Sequence, residues 1–354
     1  MINVLVLFGG QSTEHEVSLK SAYNVLGKID KNKYEITKVG ITKNGQWFLY
    51  KGADENIKDG SWEKGEIIPA FLSPDASMGL VVMENEKAEI KRVDVVFPVL
   101  HGACGEDGTI QGLCALAKIP CVGPDMISSA LCMDKTATKI MLKDLNIPQA
   151  DWLTVIDFEM KDTDDVVKRI EDKFNYPVFI KPANAGSSVG IGKSHSREEL
   201  VEHLSNAFKF DSKVLVEEYI EGREVECAVL GNNEPFASVL GEIVPDKEFY
   251  DYEAKYQSDS KLMIPAEISE TKSNQIREFA KKAFTKIGLK GMSRIDFFVH
   301  KMTGDIYLNE INTIPGFTDK SMYPMLMASS GVEGNALVDK LIELAIEEFS
   351  GEVL

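Results

Sequence analysis

The sequence feature that most restricts the fold is an uninterrupted apolar run near the start of the chain. Every residue in 4–8 is apolar, and Gly9 and Gly10 follow directly. A run of this kind, closed by a glycine turn, is typical of a strand buried on both faces of a parallel sheet. A helical pattern follows at 16–26, and further strands are predicted at 34–39 and 93–98. This alternation of strand, turn and helix predicts an open parallel α/β sheet.

The 354 residues are long enough for two or three domains. The open sheet is predicted to occupy residues 1–127. Two further blocks of mixed strands and helices follow, at 128–217 and 218–354. The predicted fold class is therefore α/β, or α+β where the later strands pair antiparallel.

Three segments have less regular patterns. Residues 50–92 are polar and mixed, and we interpret them as an irregular insertion or hairpin on the first sheet. One helix is predicted at 128–145, ending before the stop signal Asn146-Ile147-Pro148. Residues 245–265 are polar and rich in tyrosine, and an aperiodic stretch of that length is usually functional or disordered.

The charge balance excludes two classes of partner. Asp and Glu total 56 against 39 Lys and Arg, which gives a formal net charge of −17. That charge repels phosphate backbones and anionic lipids, so we expect no nucleic acid and no membrane as partner. An anionic substrate would need a local cluster of cations. The start lacks a signal-peptide pattern, no 18-residue apolar stretch occurs, and the 5 cysteines have no metal or CxxC spacing, so we expect a cytoplasmic protein.

The strongest chemical signal is a predicted β-hairpin near the C-terminus. If the hairpin is symmetric about residue 303, Asp296 lies opposite Glu310, and Arg294 lies opposite Asn312, all on one face. Opposed carboxylates destabilise a sheet unless a cation lies between them. Two carboxylates and an amide oxygen suit Mg²⁺ bound through nucleotide phosphates. The competing interpretation is a solvated polar face of an edge hairpin, and a bulge would change the pairs.

Two further signals are glycine-containing loops after predicted strands. Residues 181–192 follow a strand and begin with Lys181, so their backbone N–H groups could surround phosphate, although the P-loop spacing fails at Ser187. A plain connector is the alternative. Residues 101–108 and 9–16 follow strands of the first sheet, where open α/β sheets bind ligands. Tight strand–helix turns with exposed acids are the alternative there.

Taken together, the motifs of this chain resemble the D-alanine–D-alanine ligase family of ATP-grasp enzymes. The resemblance rests on six groups of residues in family order: Gly9, Gly10, Ser12, Glu14, Glu16, Val17 and Ser18; His101, Gly102, Gly105, Glu106, Asp107, Gly108, Thr109, Gln111 and Gly112; Met133, Asp134 and Lys135; Lys181, Pro182 and 186–190; Tyr252, Lys255 and Tyr256; and Arg294, Asp296, Glu310, Asn312, Pro315 and Gly316. It implies an N-terminal substrate-binding domain followed by a two-part ATP-grasp fold, with 128–217 as its central and 218–354 as its C-terminal subdomain.

The resemblance implies that ATP phosphorylates the carboxylate of one D-alanine and that the amine of a second then attacks the acyl phosphate. On the ATP side it implies Lys135, Lys181, Ser188 and Lys255 near the phosphates and Glu217 and Glu224 near the adenine and ribose. It implies two Mg²⁺ ions, with Mn²⁺ as a substitute, on Asp296, Glu310 and Asn312.

For the amino-acid substrates, the resemblance implies that Glu14 binds the ammonium of the first D-alanine in a network with Ser187 and Tyr256. The resemblance also implies that Arg294 and the Gly316 N–H face the oxyanion. It further implies that Ser321 binds the carboxylate of the second substrate and that His101 and Met322 lie near the substrates. It implies a lid at 245–265. The family also implies a homodimer whose only other partners are small molecules.

The second substrate is open between D-alanine and D-serine. The intact pair Lys255-Tyr256 argues against D-lactate, and the apolar Met322 favours D-alanine, but an apolar pocket rejects one hydroxyl only about a hundredfold. Residues 249–252 resemble the D-serine subgroup. Another ATP-grasp carboxylate–amine ligase is a further alternative, whereas a non-catalytic nucleotide sensor should lack Arg294 or the metal ligands.

Overall fold

The computed structural model of the chain describes residues 1–187, 189–244 and 261–351. Its strands are β1 Ile2–Gly9, β2 Tyr34–Ile41, β3 Trp47–Tyr50, β4 Ile67–Leu72, β5 Leu80–Glu84, β6 Lys87–Lys91, β7 Val95–Val99, β8 Trp152–Ile156, β9 Val178–Pro182, β10 Gly192–Ser194, β11 Lys213–Glu218, β12 Gly222–Gly231, β13 Phe236–Val244, β14 Lys261–Met263, β15 Gly291–His300 and β16 Ile306–Asn312. Its helices are α1 His15–Leu26, α2 Glu55–Lys58, α3 Thr109–Ala117, α4 Met126–Met133, α5 Lys135–Leu142, α6 Thr163–Lys173, α7 Arg197–Ala207, α8 Glu270–Ile287, α9 Met322–Ser329 and α10 Gly334–Gly351.

In the first sheet, β1 is an interior strand, as the apolar run predicts. Residues 4–8 are completely buried, and β1 pairs in parallel with both β2 and β7. The strand order is β6-β5-β4-β3-β2-β1-β7. Because β1 and β7 are parallel neighbours, the loops that follow them leave the same edge of the sheet. Both loops carry candidate site residues, Glu14 after β1 and His101 after β7.

The insertion at 50–92 is regular rather than irregular. Its strands β4, β5 and β6 continue the first sheet as antiparallel hairpins beyond β3. The hairpin interpretation of this segment is confirmed. The sequence pattern is weak because β6 is an edge strand whose side chains are almost all exposed, so no apolar alternation marks it.

The second sheet has four antiparallel strands in the order β10-β9-β11-β8. Helices α6 and α7 cover one face, and their apolar residues pack on residues of β8, β9 and β11 to form a separate core. The other face is therefore available to line a cavity. Lys181 on β9 and Glu217 on β11 are on neighbouring strands of this sheet.

The third sheet is antiparallel in the order β14-β13-β12-β15-β16. Helix α8 packs on it through one apolar core, and helices α9 and α10 pack on it through another. This second core also contains residues of α1, β1 and β7, so the first and third sheets share buried apolar contacts. None of the helices in the described residues is both long and apolar enough to cross a membrane.

The prediction of a single helix at 128–145 is wrong. The backbone of Asp134 is extended, with ψ of 99°, and separates α4 from α5, which passes into a 3-10 turn. The Asp134 side chain caps α5 by accepting a hydrogen bond of 3.1 Å from the Ala137 N–H. The apolar periodicity continues across the break, which is why the pattern does not reveal it. The break places Lys135 at the first position of α5.

Candidate active site

A cavity of about 670 Å³ lies between the second and third sheets, and Glu106, in the loop after β7, also lines it. That volume is typical of a small-molecule site. Its charged lining residues come from all three predicted blocks. They include Glu106, Lys135, Lys181, Glu217, Glu224, Arg294, Asp296 and Glu310.

The β15–β16 hairpin has the predicted pairs. Arg294 lies opposite Asn312, and Asp296 lies opposite Glu310. A bulge begins immediately beyond Asp296, so that Asn309 is the extra residue on β16. The bulge leaves both predicted pairs intact and allows Asn309 Oδ1 to accept a hydrogen bond of 3.2 Å from Lys181 Nζ. Sequence reasoning missed Asn309, because a bulge has no signature in a single sequence.

Arg294 and Asp296 form a buried, two-pronged ion pair. Arg294 Nε lies 2.8 Å from Asp296 Oδ1, and Nη2 lies 2.7 Å from Oδ2. Glu226, on the neighbouring strand β12, approaches Arg294 Nε to 3.1 Å. Burial would lower the pKa of Arg294, but Asp296 and Glu226 outweigh burial and raise it. The guanidinium is therefore a fixed positive charge.

The donors at this hairpin fit a magnesium ion that is shared with phosphate groups. Asn312 Nδ2 donates to Asp296 Oδ2 at 2.9 Å, so the amide and the carboxylate are adjacent. Within the described residues, no three His, Cys, Asp or Glu side chains lie close enough together to hold a metal ion alone. Two carboxylates and an amide therefore need oxygens from a nucleotide or water to complete the ligand set. Because Asp296 is only 8% exposed, a freely solvated polar face is the poorer interpretation.

Two lysines face the hairpin from the second block. Lys181 Nζ forms an ion pair of 2.6 Å with Glu217 Oε2. Lys135 Nζ donates to the Ala185 carbonyl oxygen at 2.6 Å. Burial would lower the pKa of Lys181, but Glu217 raises it, while burial lowers the pKa of Lys135. Both ammonium groups line the cavity, which supplies the local cations that the net charge of the chain does not suggest.

Glu14 lies where the loops after β1 and β7 meet the glycine loop after β9. The Ser12 hydroxyl donates a hydrogen bond of 2.6 Å to the His101 carbonyl oxygen and accepts one of 3.1 Å from the Glu14 N–H. An added Cβ on Gly186 would lie 3.2 Å from Glu14 Oε2. The Glu14 carboxylate is thus against the residue that precedes Ser187. Both Glu14 and Ser187 are 8% exposed.

His101 connects the first sheet to the loop after β16. Its Nδ1 lies 3.1 Å from the Ile314 carbonyl oxygen and 3.6 Å from Glu106 Oε1. Its Nε2 lies 3.0 Å from the Ser21 hydroxyl, which also accepts a hydrogen bond of 3.1 Å from the Phe317 N–H. Burial would lower the pKa of His101, but Glu106 raises it. Ser21 was not identified from the sequence.

Gly316 lies between these anchored residues and against Ser321. An added Cβ on Gly316 would lie 2.8 Å from Ser321 Oγ, so the position has no room for a side chain. Ser321 Oγ accepts a hydrogen bond of 2.9 Å from the Thr318 N–H, which closes the turn before α9. Met322 is only 5% exposed, and an added Cβ on Gly241 would lie 2.7 Å from its Sδ, so Met322 packs against Gly241.

Comparison with known proteins identifies the family. The model of the "D-ala D-ala ligase N-terminus" matches residues 3–124, and that of the "D-ala D-ala ligase C-terminus" matches residues 141–343. The chain belongs to the D-alanine–D-alanine ligase family. The predicted family is therefore confirmed, and the chain is an enzyme, an ATP-dependent ligase.

Relatives support this membership over nearly the whole ligase chain. The D-alanine–D-alanine ligase of Clostridium acetobutylicum is 53% identical over 344 residues, which are 97% of each chain. That of Clostridium novyi is 52% identical and covers 97% of this chain and 98% of its own.

Two solved structures share the fold and confirm the predicted fold class. The D-alanine–D-alanine ligase from Coxiella burnetii has a TM-score of 0.87 and 37% identity, and the alignment covers 99% of this chain and 95% of that one. The VanG D-Ala:D-Ser ligase from Enterococcus faecalis has a TM-score of 0.90 and 41% identity, and the alignment covers 97% of this chain and 99% of that one.

Some predicted residues of the ligase lie outside the described residues. These are Ser188, Lys255 and Tyr256, together with 245–260 of the predicted lid. The end of that segment is described, and Lys261–Met263 forms β14, which pairs with β13. Residues 261–263 of the predicted lid segment are therefore part of the third sheet.

Proposed function

We propose that this ligase joins two D-alanines to D-alanyl-D-alanine, with cleavage of ATP, for synthesis of peptidoglycan precursors. The proposal depends mainly on one observation: two sets of charged side chains face each other across one cavity. The β15–β16 hairpin presents carboxylates and Arg294, and the second block presents Lys135 and Lys181. Such a site neutralises a polyphosphate and aims a fixed cation at the oxygen of the attacked carbonyl group, which are the needs of acyl-phosphate chemistry.

ATP is proposed to enter along the second sheet. Lys135 and Lys181 hold its phosphates, with Ser188 and Lys255 beside them, and its adenine and ribose lie near Glu217 and Glu224, where β11 passes into β12. The two lysines supply positive charge in a largely buried site, where electrostatic attraction is stronger than in water. The cavity volume of about 670 Å³ accommodates a nucleotide and small substrates.

Two Mg²⁺ ions, or Mn²⁺ in their place, are proposed to bind at Asp296, Glu310 and Asn312. When bound, they neutralise negative charge on the transferring phosphoryl group. The hard oxygen donors of these three side chains suit either ion. Asp296 must give up part of its ion pair with Arg294 to act as a ligand, which frees guanidinium N–H groups for the substrate.

In the first step, a carboxylate oxygen of the first D-alanine attacks the γ-phosphorus, and the bond from that phosphorus to the ADP oxygen breaks. Glu14 holds the ammonium of this D-alanine, within a network that includes Ser187 and Tyr256. His101 lies beside the same loops and fixes them. A lid over 245–260 is proposed to exclude water, which would otherwise hydrolyse the acyl phosphate.

In the second step, the neutral amine of the second D-alanine attacks the acyl carbon. The oxyanion that forms receives hydrogen bonds from Arg294 and from the Gly316 N–H. The C–O bond to phosphate then breaks, phosphate leaves with that oxygen, and the attacking nitrogen loses a proton. Ser321 binds the carboxylate of the second substrate, and Met322 supports its methyl side from behind. Fixed donors aimed at developing charge are typically the largest contribution to catalysis.

D-Serine is the second candidate for the acceptor. The similarity to the VanG D-Ala:D-Ser ligase favours it, whereas the apolar Met322 behind the acceptor position favours D-alanine. An apolar environment distinguishes the two acceptors by only about a hundredfold. We therefore propose D-alanine as the main acceptor.

The proposal also includes the cellular location, the oligomeric state and the domain limits. We propose a cytoplasmic homodimer, because the substrate ATP is supplied in the cytoplasm and the family implies two copies. The domain limits proposed are 1–127, 128–217 and 218–354. Sedimentation of the purified protein tests the dimer.

The reaction is tested by supplying purified protein with Mg-ATP and either D-alanine, L-alanine, D-alanine with D-serine, or D-alanine with D-lactate. We expect phosphate release and a dipeptide with D-alanine alone, and none with L-alanine. Absence of release with D-alanine contradicts the proposed function. Faster release and a mixed dipeptide when D-serine is added would assign the acceptor as D-serine.

A further inference from the structure

A buried lysine that the mechanism above does not use lies behind the cavity. Lys139, on α5, is 3% exposed, and its Nζ lies 2.6 Å from Glu217 Oε1. The same ammonium group donates to the Ala150 carbonyl oxygen at 3.0 Å and lies 5.2 Å from the centre of the Trp152 ring. Lysine is almost never fully buried unless it is paired, so the position demands a reason.

The reason lies in the partner that Lys139 shares. The other oxygen of the Glu217 carboxylate, Oε2, lies 2.6 Å from Lys181 Nζ. One carboxylate thus bridges two ammonium groups, and all three side chains are largely buried. Burial would raise the pKa of Glu217, but the two lysines outweigh burial and lower it to about 2. The carboxylate is therefore a full negative charge at neutral pH.

The net charge of the buried cluster formed by Glu217, Lys181 and Lys139 depends on Lys139. Glu217 and Lys181 alone form a neutral pair, which attracts a phosphate weakly. With Lys139 present, the three groups carry one net positive charge, and Lys181 is the member that lines the cavity. Charge pairs at such distances interact strongly in a buried site, so the third charge changes the potential at the phosphate position.

We propose that Lys139 is a positioning residue for ATP. It binds one oxygen of Glu217 and balances its charge, so that Glu217 does not cancel the positive charge with which Lys181 attracts the nucleotide phosphates. This inference rests on the proposed binding of ATP phosphates by Lys181. Lys139 does not itself touch the substrate, and its effect is transmitted by Glu217.

The test compares binding of a non-hydrolysable ATP analogue with Mg²⁺ to purified wild type and variants by calorimetry, alongside the KM values for ATP and D-alanine. For K139M we expect affinity for the analogue to fall about tenfold, which corresponds to about 1.4 kcal/mol. The KM for D-alanine should change less than twofold. K143M is the matched control, because Lys143 is exposed on the adjacent 3-10 turn, and it should bind the analogue as wild type does.

Two further variants separate charge from packing. K139Q can still donate a hydrogen bond to Glu217 but carries no charge, and we expect it to lose affinity as K139M does. K139R keeps the positive charge beside Glu217, and we expect it to bind the analogue more tightly than K139M and K139Q do. If Lys139 acted only through packing, the larger arginine side chain would lower the affinity as much as K139M does.

The outcomes distinguish this inference from the proposed function. Wild-type affinity in folded K139Q, or binding by folded K139R that is no tighter than by K139M, would overturn the role of Lys139. If K139M does not fold, as judged by its thermal melt, K139Q gives the same decision. Absence of D-alanine-dependent phosphate release by the wild type would contradict the proposed function, whatever the variants bind.

Discussion

The Arg294 guanidinium holds Asp296 through two parallel hydrogen bonds, of 2.8 and 2.7 Å. The two residues are proposed for different tasks: Asp296 as a metal ligand and Arg294 as the donor to the oxyanion. Their ion pair means that neither charge is left unbalanced in the buried site before substrates arrive. The two hydrogen bonds also fix the plane of the guanidinium. A lysine ammonium group has no planar fork and could not be held in this way.

Replacing Arg294 with lysine keeps the charge but loses the planar fork. We expect R294K to lower kcat by about a hundredfold or more, because the donor no longer meets the oxyanion. The KM for ATP should change little. Steady-state phosphate release measures both quantities. R277K is the control, since Arg277 donates to the Ala237 carbonyl oxygen through Nε and Nη2, and a kcat as low as that of R294K would point to a general effect of the substitution.

Replacing Glu310 with glutamine removes one of the two opposed carboxylates while keeping its shape. We expect E310Q to keep the fold, as judged by its thermal melt, and to lose turnover at every Mg²⁺ concentration tested. The control E333Q changes an exposed glutamate and should behave as wild type. Wild-type turnover by E310Q would refute the assignment of Glu310 as a metal ligand.

Ser21 is predicted to matter because it anchors the loop that carries Gly316. Its hydroxyl lies 3.0 Å from His101 Nε2 and accepts the Phe317 N–H. Removing the hydroxyl leaves a buried N–H without its partner, which costs about 1–3 kcal/mol. We expect S21A to lower kcat about tenfold while the KM for ATP stays within twofold. S205A is the control, because that exposed hydroxyl only donates back to its own helix. An unchanged kcat in S21A would show that the anchor is dispensable.

The ion pairs of Glu217 predict an acid-dependent loss of stability. Its pKa is about 2 in the folded chain and 4.5 without neighbours. Because the folded pKa is depressed, the stabilisation is complete above about pH 4.5 and is lost as the pH falls towards 2. The difference corresponds to about 3 kcal/mol.

Urea denaturation at several pH values tests this prediction. Between pH 4.5 and 2, E217Q should lose about 3 kcal/mol less unfolding free energy than the wild type. E347Q, at an exposed glutamate, should follow the wild type. Equal slopes for wild type and E217Q would contradict the ion-pair account.

The sequence was sufficient where local rules decide the structure. The buried run at 4–8 predicted β1, a strand with parallel neighbours on both sides, and the period of two along β15 and β16 predicted the opposition of Asp296 and Glu310. Both features depend only on neighbouring residues and one tight turn. The motifs then predicted the family, because each has a fixed spacing.

Features that depend on distant contacts could not be read from one sequence. Glu217 reaches Lys139 and Lys181 only because β9 and β11 pair and α5 packs behind them. The break at Asp134 follows from a cap that competes with a continuous apolar pattern. The bulge at Asn309 shifts the register by one residue, and the alternation of polar and apolar residues along β16 does not reveal it.

The central claim is that the carboxylate of one D-alanine is activated by phosphorylation and captured by a second D-alanine. The most direct measurement supplies D-alanine labelled with ¹⁸O in its carboxylate and analyses the released phosphate by mass spectrometry. The account predicts one labelled oxygen in each phosphate, together with D-alanyl-D-alanine, because the attacking oxygen leaves with the phosphoryl group. Unlabelled phosphate, or phosphate release without dipeptide, would contradict it.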